Sequence, residues 1–153
     1  MSAVAERSTL VTTQHGARVI ADWPPNIDEI REVLPVSQNN IFAYDEVIYN
    51  PGGGKLPPWL VEHEKVHFMQ QAKYPGGVKS WWDRFLIDPV WRLRQEVPAH
   101  QIEYHVYGQC GNPRNARRVY LKGMAKRLSA PMYGNIINFH EAKRLIARKD
   151  PAK

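Results

Sequence analysis

Cysteine is almost missing: Cys110 is the single one in 153 residues. One thiol excludes an internal disulfide framework and a cysteine-rich zinc knuckle, and it points to a reducing compartment. No apolar run approaches the roughly 20 residues that a membrane helix needs. The opening residues, Met1-Ser-Ala-Val-Ala-Glu-Arg-Ser8, lack a basic stretch followed by an apolar one. No secretory signal is therefore expected, and the expected location is the cytoplasm. There is no internal repeat and no low-complexity tract. Disorder is excluded by what is present, since five Trp, seven Tyr and four Phe supply ample surface to bury. The length fits one domain, with a core over about residues 18–109 and a helical extension over about 110–153. A monomer is the default expectation.

Acidic residues are scarce in the last third. Residues 110–153 hold Glu141 and Asp150 against 11 Lys and Arg, a net +9, while residues 1–109 carry −3. A basic segment on a mildly acidic body suits an anionic partner, such as a nucleic acid, an acidic protein surface or a membrane face. A pair of helices with their cations on the wet side would look the same and needs no partner. Arg114, Arg117 and Arg118 can meet phosphates, but no element with base-reading chemistry accompanies them.

The expected fold class is α+β, a short β portion followed by mainly helices. Residues 8–22, interrupted by His15-Gly16, read as one or two short strands or an extended arm. Asn26 and Glu29 have capping-box spacing, so a helix should run from about Ile27 to Leu34 and stop at Pro35. Residues 40–49 are β-branched and aromatic and read as one strand. Asn50-Pro-Gly-Gly-Gly54 reads as a flexible loop; with Lys55 it lacks the spacing of a phosphate loop, and Leu56 stands where a metal-binding hydroxyl would be. Pro57-Pro58 suit a helix start, and Trp59 to Tyr74 should be helical until Pro75-Gly76-Gly77. Residues 78–87 read as a short aromatic helix. Asp88-Pro89 open a longer one, Val90 to about Gln109, which Pro98 should kink or break. Pro113 to Leu128 is amphipathic, with Ala116, Val119, Tyr120, Gly123, Met124 and Leu128 sharing a face. Asn138 and Glu141 form a second capping-box pattern for a last helix to about Lys149. Trp81, Trp82 and Trp91 read as packing residues.

One motif carries chemistry: His63-Glu64-Lys65-Val66-His67. Helical spacing of i and i+4 puts both imidazoles on one face, one turn apart. That geometry lets both hold one zinc ion, and Glu64 projects where a carboxylate can take a proton from activated water. A catalytic zinc site has three protein ligands and an open position. The third ligand must come from elsewhere in the chain. The downstream candidates are Asp83, Asp88, Glu96, His100, Glu103, His105, His140 and Glu141, of which Asp83 and Asp88 read as turn or capping residues. Glu96, His100 and Glu103 follow one another at helical spacing on the next long helix, and periodicity does not choose among them.

The run Trp59-Leu-Val-Glu-His-Glu-Lys-Val-His-Phe-Met-Gln-Gln71, with Glu96-Val-Pro-Ala-His-Gln-Ile-Glu-Tyr104 after it, resembles the gluzincin group of zinc metallopeptidases. More narrowly it is similar to small zincin-like proteins encoded by phages and prophages. The resemblance covers about residues 40–107. It implies a zincin-like fold and a zinc peptidase, with one zinc ion on His63, His67 and Glu96 and with Glu64 as general base. It also implies that Ala99 lets two helices approach, that Glu103 stands behind the ligands, and that the 40–49 strand can pair with an extended peptide substrate. Candidate donors to a tetrahedral oxyanion are His100, Tyr104, Tyr107, Tyr133 and His140, with His100 favoured because it lies one turn from Glu96. The expected function is therefore peptide-bond hydrolysis of a peptide or protein substrate. The alternatives are a catalytically silent zincin-fold assembly protein, virion-associated if phage-encoded, with His100 as a fourth ligand, and a binder of an anionic partner through the basic C-terminal helices.

Overall fold

A computed structural model describes residues 11–148. It is α+β: a four-stranded mixed sheet and six α-helices among the described residues. The expected strand content at residues 8–10 lies outside that range, and the last helix, expected to reach about Lys149, ends at Ile146 with Ala147 as its cap.

The β portion is two hairpins. β1 (Val11–Gln14) and β2 (Ala17–Ile20) pair antiparallel around His15 and Gly16, at φ 48° and 80°. Consecutive left-handed residues make the tight turn whose twist matches paired strands. The same device corrects the expectation of one strand over 40–49. Asp45 and Glu46 sit at φ 50° and 64°, folding the segment into β3 (Phe42–Tyr44) and β4 (Val47–Tyr49). The apolar run on either side hid the turn, because its two acidic residues interrupt it only briefly. β2 and β4 run parallel, with Val19 opposite Ile48, giving the order β1-β2-β4-β3. The parallel connection carries α1 (Ile27–Val33).

β3 is an edge strand, yet part of its edge is closed. In a two-residue hairpin Tyr44 and Val47 share the closing hydrogen bonds, so the Ala43 peptide faces away from β4. The Ala43 carbonyl accepts from Gln71 Nε2 at 2.8 Å and from Trp82 Nε1 at 3.0 Å. Both lone pairs are used, so an added peptide strand has no acceptor at Ala43.

The helices follow as α2 (Pro58–Lys73), α3 (Gly77–Ile87), α4 (Pro89–Gln109), α5 (Arg114–Leu128) and α6 (Phe139–Ile146), with a 3-10 turn at Pro131–Tyr133. Pro58 begins α2, where its missing N–H would have been unpaired in any case. Gly76, at φ 94°, precedes α3; a Cβ there would meet Ser80 Oγ at 2.2 Å, so only glycine fits. Asp88 caps α4 by accepting from the Trp91 amide at 3.0 Å, as expected. Asp83 does not cap a turn. It lies within α3 and pairs with Lys79 at 3.0 Å. α4 continues through Pro98 as one helix, so of the expected kink or break the break does not occur.

The two capping-box patterns part company. Asn138 and Glu141 exchange both bonds, 2.9 and 3.0 Å, at the start of α6. The Asn26 side chain makes no capping bond, although α1 begins beside it. Its backbone, at ψ 24°, is outside the extended region in which a capping side chain reaches back to the helix.

Three apolar clusters hold these elements. Ala17, Val19 and Ile48 of the sheet pack on Leu56 and Val61. Trp81, Trp82, Phe85 and Trp91 gather with Ile30 and Phe42, with Trp81 stacked on Phe85 at 4.9 Å. The tryptophans expected to pack do so. The third cluster joins α4, α5 and α6 through Leu93, Leu121, Met124, Leu128 and Ile146. Here α5 is rotated from expectation. Its buried stripe is Leu121, Met124, Ala125 and Leu128, while Val119 is 70% exposed and Gly123 is exposed. The true stripe has i, i+3, i+4, i+7 spacing, which the expected set matched only in part. No helix among the described residues is long and apolar enough to cross a membrane.

Candidate metal centre

α2 packs most extensively on α4. Partner numbers rise on one helix as they fall on the other: His63 meets Glu103, His67 meets Glu96, and Gln70 meets Gln95. The helices are therefore antiparallel, and Ala99, fully buried, lies in the middle of this stretch of α4. This arrangement brings His63, His67 and Glu96 together, with one ligand atom of each within 4.8 Å of the others.

Both imidazoles aim the same nitrogen inward. His63 Nε2 lies 3.2 Å and His67 Nε2 3.1 Å from Oε1 of Glu96. Their outer nitrogens are occupied. His63 Nδ1 pairs with Glu103 Oε1 at 2.7 Å, and His67 Nδ1 with Gln70 Oε1 at 2.8 Å. Each outer partner is an acceptor, so it takes an Nδ1–H and frees Nε2 to coordinate. Gln70 also donates to the Gln95 carbonyl at 2.9 Å, and Gln95 Oε1 accepts from the Trp81 indole at 3.1 Å. The donor set of two imidazole Nε2 atoms and one carboxylate, each outer nitrogen facing an acceptor, could hold a divalent metal ion.

Three carboxylates and three imidazoles are buried here: Glu64, Glu96 and Glu103 with His63, His67 and His100. Unpaired buried charge is costly, so such a cluster is held by its own pairing. Burial works against ionised Glu96, but His67 and His63 outweigh it and hold the carboxyl well below its usual range. Burial likewise opposes the charged His63 ring, and its bonds to Glu103 and Glu96 hold its pKa well above the ordinary value. His67 is raised against burial by the Glu96 charge. Glu64 has no comparable partner. Burial pushes its carboxyl up to about 7, against the pull of His63 and His67. Its Oε2 is 3.7 Å from His63 Nε2.

His100 does not join the triad. Its Nδ1 lies 2.8 Å from the Glu96 carbonyl oxygen, which can only accept, so Nδ1 carries the proton. Burial, with His63 nearby, lowers its pKa to about 4, so the ring is neutral and Nε2 carries no hydrogen. Tyr133, on the 3-10 turn, reaches Glu96 Oε2 with its hydroxyl at 3.4 Å. Burial and Glu96 raise that phenol well above its ordinary value, so it remains a donor. Arg92, buried on α4, fixes the turn before Tyr133: it donates to Phe85 O at 2.6 Å, to Leu86 O at 2.9 Å and to Met132 O. Of the other candidates, Tyr104 packs against the C-terminal core, Tyr107 stacks on Tyr120, and His140 is exposed beside Phe139. Cys110 is exposed at the end of α4.

An open cavity of about 680 Å³ meets His63 and Glu96 of the triad, lined also by Asn39, Asn40, Leu60, Glu64 and Tyr133. A recess of about 160 Å³ adjoins it, walled by Ile30, Leu34, Phe42, Trp82, Phe85 and Met132. Lys65, the charged residue inside the motif, turns away from the site. Its Nζ donates to the His15 carbonyl at 2.7 Å and meets Glu62 at 3.0 Å, tying α2 to the first hairpin.

Sequence reasoning missed Gln70 and Tyr120. Gln70 had a signal, since it lies three residues after His67 on one helix. Tyr120 had none, because its approach to Glu103 depends on how α5 returns to α4. No family model, curated protein or solved structure matches the chain.

Proposed function

We propose that the protein is a zinc-dependent peptidase, with His63, His67 and Glu96 as ligands and Glu64 as general base. The carrying observation is the convergence of two Nε2 atoms on one Glu96 oxygen while both Nδ1 atoms are committed to acceptors. A structural zinc site fills all four positions with protein ligands; three ligands beside an open cavity suit catalysis.

A zinc ion held there would polarise a substrate carbonyl and lower the pKa of water from 15.7 to about 7. Glu64 takes the proton of the attacking water and passes it to the leaving nitrogen. Burial in this site favours the protonated form of its carboxyl, which helps it hold the proton between the two transfers. Tyr133 donates its hydroxyl to the oxygen that gains charge, a contact whose loss costs about 10²–10³ in rate in comparable sites. His100 cannot serve, because its cavity-side nitrogen has no hydrogen. The apolar recess accepts a hydrophobic side chain beside the cleaved bond. With Ala43 closed, the substrate backbone meets the chain at Ile41, the next residue on that edge, which lines the cavity.

The test is elemental analysis of protein purified without chelator or histidine tag, followed by mass spectrometry of a peptide mixture incubated with it. The expected result is one zinc per chain in the wild type and in Glu64→Gln, with cleavage by the wild type alone. Cleavage by Glu64→Gln, or a wild type that takes up no zinc at neutral pH, would overturn the reading.

A further inference from the structure

We propose that Tyr120, on the basic helix α5, is a positioning residue of the metal centre that acts through Glu103 on His63. The inference rests on the metal reading above and extends it to a part of the chain beyond residues 40–107.

The two oxygens of Glu103 have different tasks. Oε1 accepts from His63 Nδ1 at 2.7 Å, and Oε2 accepts from the Tyr120 hydroxyl. Arg127, two turns further along α5, is 3.9 Å from Oε2, a charge contact beyond hydrogen-bond range. Glu103 is 2% exposed, and among the described residues the phenol is the one donor within hydrogen-bond range of Oε2. Without the phenol, Oε2 would be a buried anionic oxygen with no close donor, and the carboxylate would turn toward other partners. The His63 ring takes its orientation from that carboxylate, so its Nε2 would lose its aim at Glu96.

The phenol ring is itself held by aromatic residues of two other helices. Its ring stacks on Tyr107 of α4, with centroids 4.1 Å apart and planes 12° from parallel. Trp59 of α2 meets Tyr107 edge-on at 4.9 Å and Tyr120 at 6.5 Å. Elements α2, α4 and α5 thus share one aromatic stack whose polar tip is the hydroxyl on Glu103. Packing alone would be served by phenylalanine; the contact with Glu103 needs the oxygen.

Tyr120→Phe keeps the stack and removes that oxygen. Zinc affinity, measured by competition with a chromogenic chelator, should fall about 10–100-fold, the range seen when partners behind metal ligands are lost. The visible spectrum of the cobalt(II)-loaded protein should change, while the melting temperature of the metal-free protein stays within a few degrees. Tyr107→Phe, which keeps the ring and touches no carboxylate, should match the wild type in affinity and spectrum. Glu103→Gln should weaken zinc binding, and adding Tyr120→Phe to it should cost little more, because both act on one ring. Wild-type affinity and cobalt spectrum in Tyr120→Phe would overturn the positioning role and leave the metal reading intact. Fully additive losses would also overturn it, since they would mean that Tyr120 acts by another route. A wild type that binds no zinc would overturn both.

Discussion

Gln70 Oε1 lies 2.8 Å from His67 Nδ1, one turn further along α2, and the same amide donates to the Gln95 carbonyl of α4 at 2.9 Å. One side chain thus selects the tautomer of a ligand and ties the two helices that bear the ligands. Gln70→Ala should therefore weaken zinc binding about 10–100-fold. Gln70→Glu, which still accepts from Nδ1, should be affected less. Chelator competition at fixed pH ranks the two, and equal affinities in all three proteins would show that His67 is oriented by packing alone.

Glu96→Ala should abolish stoichiometric zinc, whereas Glu103→Ala should leave a weaker site. The difference follows from position: Glu96 Oε1 faces both Nε2 atoms, and Glu103 faces the outer nitrogen of His63. Zinc per chain after gel filtration at micromolar protein separates the two. The reverse ranking would make Glu103 the ligand.

Zinc uptake should release protons. In the metal-free site burial disfavours the charged rings, but the carboxylates outweigh it, holding His63 well above and His67 above the ordinary histidine value. Raised values on these rings favour a proton that competes with zinc for Nε2. Affinity should rise with pH from about 6 to about 8. Calorimetry in two buffers of unlike ionisation enthalpy reads the released protons, and identical apparent enthalpies would mean that the rings are already neutral.

Asn138→Ala should lower stability by about 1 kcal/mol, because it removes a formed cap at the start of α6. Asn26→Ala has no capping bond to lose. Urea unfolding of both variants compares them, and a loss in Asn138→Ala no larger than in Asn26→Ala would contradict the cap assignment.

Much of the helical order was legible in the sequence because its signals are local. Pro57-Pro58, Asp88-Pro89 and Asn138 with Glu141 each mark a boundary through groups a few residues apart. His63, Glu64 and His67 were legible for the same reason, since one helix sets their spacing. Periodicity left Glu96, His100 and Glu103 open and only the resemblance favoured Glu96; the antiparallel pairing of α2 and α4 is what brings Glu96 to both imidazoles. The hairpin at Asp45-Glu46 was hidden because left-handed backbone at two acidic residues has little sequence signature beside Gly-containing turns. The rotation of α5 was hidden too: Val119 and Leu121 are equally apolar, and only contact with α4 and α6 decides which is buried.

The doubly bonded carbonyl of Ala43 also bears on how the protein behaves when concentrated. Open strand edges are where folded chains recruit one another into fibrils. On β3 that route is stopped midway by an amide and an indole from two helices, Gln71 and Trp82. The opposite edge, β1, bears the exposed residues Val11, Thr12 and Thr13. Among the described residues β1 is the edge without such a block, and a lysine or proline placed there should act on solubility while leaving the metal centre untouched.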